Sequence, residues 1–174
     1  TKEVKLMLDP NADHYAVNND DNSNTPQLFG ARDVTDLNWV QLLNSYSCTE
    51  CGRCSSVCPA NQTGKLLSPR KIMMDTRDRI EEIGSNSAIN DEKFLLGDYI
   101  TKEELWACTT CNACTDACPI NLDPLSIIVD LRRYLVMEES SAPTELNNMF
   151  SNVENNGAPW KFPADDRLNW LNNK

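Results

Sequence analysis

A chain of 174 residues with 40% apolar composition has room for one compact domain with irregular ends, or for two very small ones. Its 26 acidic residues against 16 basic ones leave a formal charge of -10, which repels a phosphate backbone and excludes nucleic acid as an expected partner. No run of eighteen apolar residues occurs, so no segment of the sequence is expected to span a bilayer as a helix.

Residues 1 to 34 are polar and irregular, centred on Asn18-Asn19-Asp20-Asp21-Asn22-Ser23-Asn24, a composition that buries too little to fold alone. Thr1-Lys2-Glu3-Val4 has no signal-peptide pattern and reads as a processed or excised start. His14, the only histidine, sits in this polar stretch and reads as a surface residue. Pro26-Gln27-Leu28-Phe29-Gly30 is expected to lay Leu28 and Phe29 on the main domain. From Asp36 a short helix is predicted, capped by Thr35 or Asp36, with Leu37, Val40, Leu42 and Leu43 as its apolar positions. It leads into a first block of four cysteines. Beyond that block, Ser68-Pro69 has the pattern of an N-cap followed by proline at the first helical position. The helix carries Ile72, Met73, Thr76, Ile80 and Ile83 as a stripe and is expected to stop at Gly84. Arg70, Lys71, Arg77 and Arg79 read as its solvated face.

A polar turn at Ser85-Asn86-Ser87 leads to an apolar patch at Phe94-Leu95-Leu96. Thr101 with Glu104 then forms the capping-box pattern of a short helix over 102–107, just before a second cysteine block. Asp123-Pro124 opens the next helix, whose apolar face is Leu125, Ile128, Val129, Leu131, Leu135 and Val136. Arg132-Arg133 on it reads either as a partner contact or as i,i+4 pairing with acidic residues. A last short helix is predicted over 144–153, followed by an irregular Gly157-Ala158-Pro159-Trp160. The unit of short helix, cysteine block and capped longer helix thus occurs twice, which suggests pseudo-two-fold packing around two similar centres.

The blocks are Cys48-x2-Cys51-x2-Cys54-x3-Cys58-Pro59 and Cys108-x2-Cys111-x2-Cys114-x3-Cys118-Pro119, and they use all eight cysteines. Such clustering speaks against a secreted disulfide framework and for a reducing compartment, the cytoplasm or its membrane face. Three thiolates at every third position can wrap a loop around three irons of a cubane. The fourth begins a segment that runs away from the loop, stiffened by a proline without an amide donor. C-x2-C pairs also hold structural zinc, but zinc sites use two pairs or mixed Cys/His sets rather than one four-cysteine run repeated. The run therefore points to two [4Fe-4S] clusters. Its fourth-ligand exchange assigns Cys48, Cys51, Cys54 and Cys118 to cluster 1, and Cys108, Cys111, Cys114 and Cys58 to cluster 2. Every iron then has a cysteine, leaving none open for Lewis-acid chemistry, and no catalytic residue is expected.

Thr49, Gly52, Ser55, Thr109, Thr110, Asn112 and Thr115 are small or hydroxylated, so backbone amides can approach cluster sulfurs and tune them. Glu50 and Asp116 read as solvated carboxylates. Fifty residues separate Cys58 from Cys108, too many for a hairpin connection. The insert reads as helix, polar turn and helix, so the expected fold is mainly α, an alpha-helical ferredoxin. No Ser/His/Asp set and no glycine-rich phosphate loop is present.

The blocks and their surroundings also carry a resemblance. It runs through Cys48-Thr49-Glu50-Cys51-Gly52-Arg53-Cys54, Cys58-Pro59-Ala60 and Thr63-Gly64-Lys65-Leu66-Leu67-Ser68-Pro69. It continues in Trp106-Ala107-Cys108-Thr109-Thr110-Cys111 and Cys118-Pro119-Ile120. Over roughly residues 35 to 140 the chain resembles the helical two-cluster ferredoxin domain of heterodisulfide-reductase-like iron-sulfur oxidoreductases. In that family the domain recurs in succinate, glycerol-3-phosphate and glycolate/lactate oxidation systems. Asn155-Asn156-Gly157-Ala158-Pro159-Trp160 is similar to the stretch leading into the family's cysteine-rich C-terminal domains; their CCG-type motifs are absent here. The resemblance implies an excised soluble domain of a larger membrane-associated oxidoreductase. It would comprise an irregular segment 1–34, a di-cluster body 35–140 and a helix with linker 141–174. The implied function is electron transfer to a redox partner protein or to adjoining domains of the full-length chain. Two other readings are a fragment of a disulfide-reducing or 2-hydroxy-acid-oxidising enzyme with its active site elsewhere, and a scaffold whose metals are only structural.

Overall fold

The computed structural model describes residues 28–86 and 92–172, so the asparagine-rich stretch, His14 and Ser87 lie outside the described residues. The chain divides into two compact units, Thr1–Glu138 and Glu139–Lys174.

In the first unit the repeat is visible as structure. A short helix α1 (Trp39–Ser47) precedes the first cysteine loop, which contains α2 (Arg53–Ser56) and α3 (Pro59–Gln62) and leads into the long α4 (Pro69–Asn86). A second short helix, α5 (Lys102–Ala107), precedes the second loop with its one-turn α6 (Ala113–Asp116), followed by the long α7 (Pro124–Met137). Among the described residues there is no strand, only an isolated bridge between Leu96 and Ile100. The mainly α class is therefore what the chain adopts. The long helices α4 and α7 pack on each other, α1 lies against both, and α2 packs on α6. That last contact brings the two cysteine loops together.

The helix starts follow from local chemistry. Thr101 accepts the Glu104 amide while the Glu104 carboxylate takes the Thr101 N–H at 2.9 Å, the capping box that the sequence predicts. Asp123 accepts from Ser126 N–H at 3.1 Å ahead of Pro124 at the first helical position. Between these helices sits a core of Leu67, Ile72, Met73, Leu105, Ile127, Ile128, Leu131 and Leu135, all essentially without solvent contact. Each such side chain contributes about 1.5–3 kcal/mol of transfer free energy.

Three expectations are corrected. First, α1 is capped by Asn38, with Gln41 completing a capping box, while Asp33 caps a separate one-turn 3-10 helix, Val34–Asp36. The inward face of α1 is mixed, with Leu42 packed partly buried against the core beside two polar residues. Gln41 and Ser45 are buried, whereas Val40 and Leu43 are exposed beside Trp39 and Tyr46. The burial is tolerated because Gln41 donates to Asp130 on α7 at 2.6 Å and Ser45 donates to the Gln41 carbonyl at 3.0 Å. Second, α4 does not stop at Gly84 but runs on to Asn86. Gly84 stays out of the positive-φ region that a glycine helix stop uses. Third, the basic residues of α4 are only in part a solvated face: Arg70 is exposed at the rim of a cleft, but Arg79 is 2% exposed, and Arg77 and Lys71 are held in ion pairs.

Of the two residues expected to lay the entering segment on the domain, Leu28 is exposed, while Phe29 is half-buried and donates its N–H to the Glu138 carboxylate at 2.8 Å. The segment crosses α7 at Gly30 and Ala31, where Ala31 N–H donates to the Asp130 carbonyl at 3.1 Å. A Cβ on Gly30 would stand 2.4 Å from that same carbonyl oxygen, at a φ of +79°.

The second unit contains α8 (Thr144–Asn156), longer than the 144–153 expected, and ends it on Gly157 at φ 63°. A 3-10 turn (Ala164–Leu168) and α9 (Asn169–Asn172) follow. This unit leaves Trp160, Phe162 and Trp170 largely exposed. Among the described residues no helix is long and apolar enough to cross a membrane.

Candidate metal centre

Cys48 and Cys108 hold equivalent places. Each is the C-cap of its short helix and donates its N–H to the residue three back, Ser45 at 3.4 Å and Leu105 at 3.3 Å. Two residues later the backbone turns left-handed at Glu50 (φ 60°) and Thr110 (φ 54°), and again at Gly52 (φ 79°) and Asn112 (φ 64°). For Glu50 and Thr110 that conformation costs about 1–2 kcal/mol each. In return, left-handed residues swing successive N–H groups to one side and create a concavity suited to anions. One such contact is Thr110 N–H to Cys108 Sγ at 3.4 Å.

Ser55 and Thr115 fasten each loop to the long helix of its own half. Ser55 and Ser68 share a hydrogen bond of 2.8 Å, and Thr115 donates to Asp123 at 3.3 Å. Both also hydrogen-bond the preceding cysteine. Burial outweighs that help: it pushes the Cys54 thiol up, and pushes Cys114 up to about 11. Cys111 is exposed and lies below its ordinary value because the Ala113 amide and then the Thr109 side chain hydrogen-bond it. Thiols held protonated by burial become good ligands only beside a strong positive charge, which iron supplies.

Cys48, Cys51, Cys54 and Cys118 line one cleft, together with Cys114. The cleft encloses about 430 Å³ of atom-free space, part of it open to solvent, and has Met73, Ile120, Leu122 and Pro124 as apolar walls. Of the second block, Cys114 is buried, Cys108 is partly buried against the core and Cys111 faces solvent; Cys58 is buried at the start of α3. Among the described residues no three His, Cys, Asp or Glu side chains converge closely enough to ligate a single ion. Thiolates lining a wider cleft fit a group whose irons each take a separate ligand.

Sequence reasoning missed the arginines that brace these loops. Arg77 on α4 reaches Glu50 at 2.5 Å, so Glu50 is paired rather than merely solvated. Arg132 on α7 donates to the carbonyls of Leu105 and Cys108 and lies 5.0 Å from the Trp106 ring. It is therefore neither free for a partner nor paired with an acid, whereas Arg133 pairs with Asp130 at i,i+3. The signal was present: Arg77 and Arg132 each stand nine residues after their caps, Ser68 and Asp123. Lys71 bridges Asp75 at 2.6 Å and Glu104 at 2.9 Å, joining α4 to the capping box of α5. Asp116 is exposed, as expected.

A helical unit with two cysteine loops in pseudo-symmetric contact defines the class: a di-cluster iron-sulfur domain. Residues 47–122 match the 4Fe-4S dicluster domain family and belong to it, which makes two [4Fe-4S] clusters the cofactors of this domain. The chain is 34% identical to a probable iron-sulfur-binding oxidoreductase, FadF, of Bacillus subtilis, over 84% of this chain and 26% of the relative. It is 31% identical to the EtfAB:quinone oxidoreductase of Syntrophomonas wolfei, over 96% and 26% respectively. With a probable membrane-anchored ferredoxin of Chromohalobacter salexigens it shares 30%, over 82% and 24%. Heterodisulfide reductase subunits are related as well, as the resemblance implied. The chain thus spans about a quarter of the length of the first three relatives.

Proposed function

We propose that this domain is the iron-sulfur relay of a larger, membrane-linked oxidoreductase, with Cys48, Cys51, Cys54 and Cys118 holding cluster 1 and Cys108, Cys111, Cys114 and Cys58 holding cluster 2. When bound, each cluster accepts and releases one electron. The chain's own part is to ligate, to exclude water with the apolar walls of the cleft, to present amides to the sulfurs, and to brace the loops with Arg77 and Arg132. The single observation that carries the ligand assignment is that Cys118 shares a cleft with the three cysteines of the other block. The relatives' names, a quinone oxidoreductase and a membrane-anchored ferredoxin, support a donor or acceptor linked to a membrane; the clustered cysteines, suited to a reducing compartment, favour its cytoplasmic face. The partner is then a redox protein or adjoining domains of the same chain.

The test is iron and acid-labile sulfide analysis of anaerobically reconstituted protein, followed by two variants. About eight irons and eight sulfides are expected per chain. Cys118→Ser should damage the cluster held by Cys48, Cys51 and Cys54, and Cys58→Ser the other, each seen as a three-iron signal or loss of one cubane by electron paramagnetic resonance. Loss of only the Cys108 cluster in Cys118→Ser would mean that each block closes on itself.

A further inference from the structure

The two loops share a backbone but not their charges. In the first, Glu50 and Arg77 neutralise each other at 2.5 Å. Two more cations, Arg53 and Arg70, line the cleft with Cys48, Cys51 and Cys54, and among the described residues neither forms an ion pair. Arg70 approaches the loop closely: its guanidinium is 3.8 Å from where a Cβ on Gly52 would lie. Superposing the halves in sequence, Cys54 on Cys114 and Pro69 on Pro124, puts Ala113 in the place of Arg53 and Leu125 in the place of Arg70. Ser56 is answered by Asp116, and the cap Ser68 by the carboxylate of Asp123, which Thr115 contacts at 3.3 Å. The second loop's cation is Arg132, half-buried against the Cys108 carbonyl at 2.5 Å. The first loop therefore carries two unbalanced positive charges, and the second sets one arginine against two carboxylates.

Adding an electron to a cluster adds a negative charge, so neighbouring cations favour the reduced form and carboxylates disfavour it. We infer that the two centres have unequal reduction potentials, with the cluster on Cys48, Cys51 and Cys54 the more easily reduced, and that Arg53 and Arg70 are the residues that make it so. A single electron then rests on cluster 1, and transfer from cluster 2 to cluster 1 runs downhill. This inference rests on the di-cluster reading but not on the crossed fourth ligand, since the three loop cysteines define each centre. The Arg70 and Arg53 side chains are exposed, so their effect is screened by solvent and salt.

The experiment is a potentiometric titration of the loaded protein followed by electron paramagnetic resonance, on wild type, Arg70→Leu, Arg53→Ala and Leu125→Arg. Wild type should reduce in two steps that draw together as salt is added. Arg70→Leu and Arg53→Ala should each lower the upper step, changing the ratio of singly reduced forms by roughly two- to fivefold, and leave the lower step in place. Leu125→Arg, at a half-exposed site, should raise the lower step alone. Arg70→Lys, which keeps the charge, should restore the wild-type separation. If Arg70→Leu loads poorly, Arg53→Ala on the exposed end of the loop carries the same comparison. Fully loaded protein whose upper step ignores both arginine substitutions, or falls with Leu125→Arg, would overturn the inference. Protein that never binds about eight irons would instead overturn the di-cluster reading.

Discussion

Arg79 takes a full positive charge into the core, where it is 2% exposed. It is held by Asp33, with Nε to Oδ1 at 3.1 Å and Nη2 to Oδ2 at 3.0 Å, and it donates to the Lys93 carbonyl at 2.5 Å. Asp33 in turn accepts from the backbone of Val34 at 2.9 Å and of Leu95 at 3.0 Å. One ion pair therefore ties three stretches far apart in sequence: the entering segment, α4 and the loop before α5. Its presence does not by itself imply net stabilisation, because desolvation opposes the Coulomb attraction. Its disruption is another matter. Arg79→Met leaves a carboxylate buried without a countercharge and should cost about 3–5 kcal/mol, read as a lower denaturant midpoint of the loaded protein. Asp33→Asn combined with Arg79→Met should recover part of that loss; strict additivity would show that the two side chains do not act as a pair.

At the scale of elements, the same construction is used twice. A short helix ends on a cysteine, left-handed turns aim amides inward, a hydroxyl fastens the loop to the cap of the long helix, and an arginine nine residues along that helix braces the loop. The halves are locked by contacts that the repeat does not contain. Gly30 is one: the entering segment lies so close on α7 that a methyl group would meet the Asp130 carbonyl at 2.4 Å and the Tyr134 nitrogen at 2.5 Å. Gly30→Ala combines that overlap with a φ of +79°, so a destabilisation of about 2–4 kcal/mol is expected. Thermal unfolding of the loaded protein measures it. Gly64 also has positive φ but no atom within 4 Å, so Gly64→Ala should show only the smaller conformational part, about 1–2 kcal/mol.

For the whole first unit, the cysteine loops are not an appendage. Cys58 belongs to the buried core, and Cys48, Cys108 and Cys118 pack against it. With ligands shared between blocks, each cluster would tie the first half of the unit to the second. Removing iron and sulfide leaves Cys114 as a buried thiol and Cys54 as a half-buried one, and takes away those links. Metal-free protein should lose its near-ultraviolet circular dichroism in large part, while helices with good caps, such as α5 and α7, retain some far-ultraviolet signal. Near-ultraviolet spectra that match in apo and loaded protein would show a core that closes without the clusters.

Sequence alone determined what is local or periodic. The cysteine spacing gave the cofactor, the Thr101–Glu104 and Asp123-Pro124 patterns located α5 and α7, and the doubled order of elements predicted the pseudo-symmetry, because each depends on residues within one or two turns. The buried roles of Arg79, Gln41 and Ser45, the exposure of Val40 and Leu43, and the closeness of Gly30 to α7 were decided by tertiary structure. An arginine or glutamine is tolerated in a core only when a partner stands ready, and those partners, Asp33 and Asp130, lie 46 and 89 residues away. No local pattern encodes such a pairing. The charge difference between the two loops belongs to the same class: it exists only where α4 carries Arg70 to a cleft that α7 answers with Leu125.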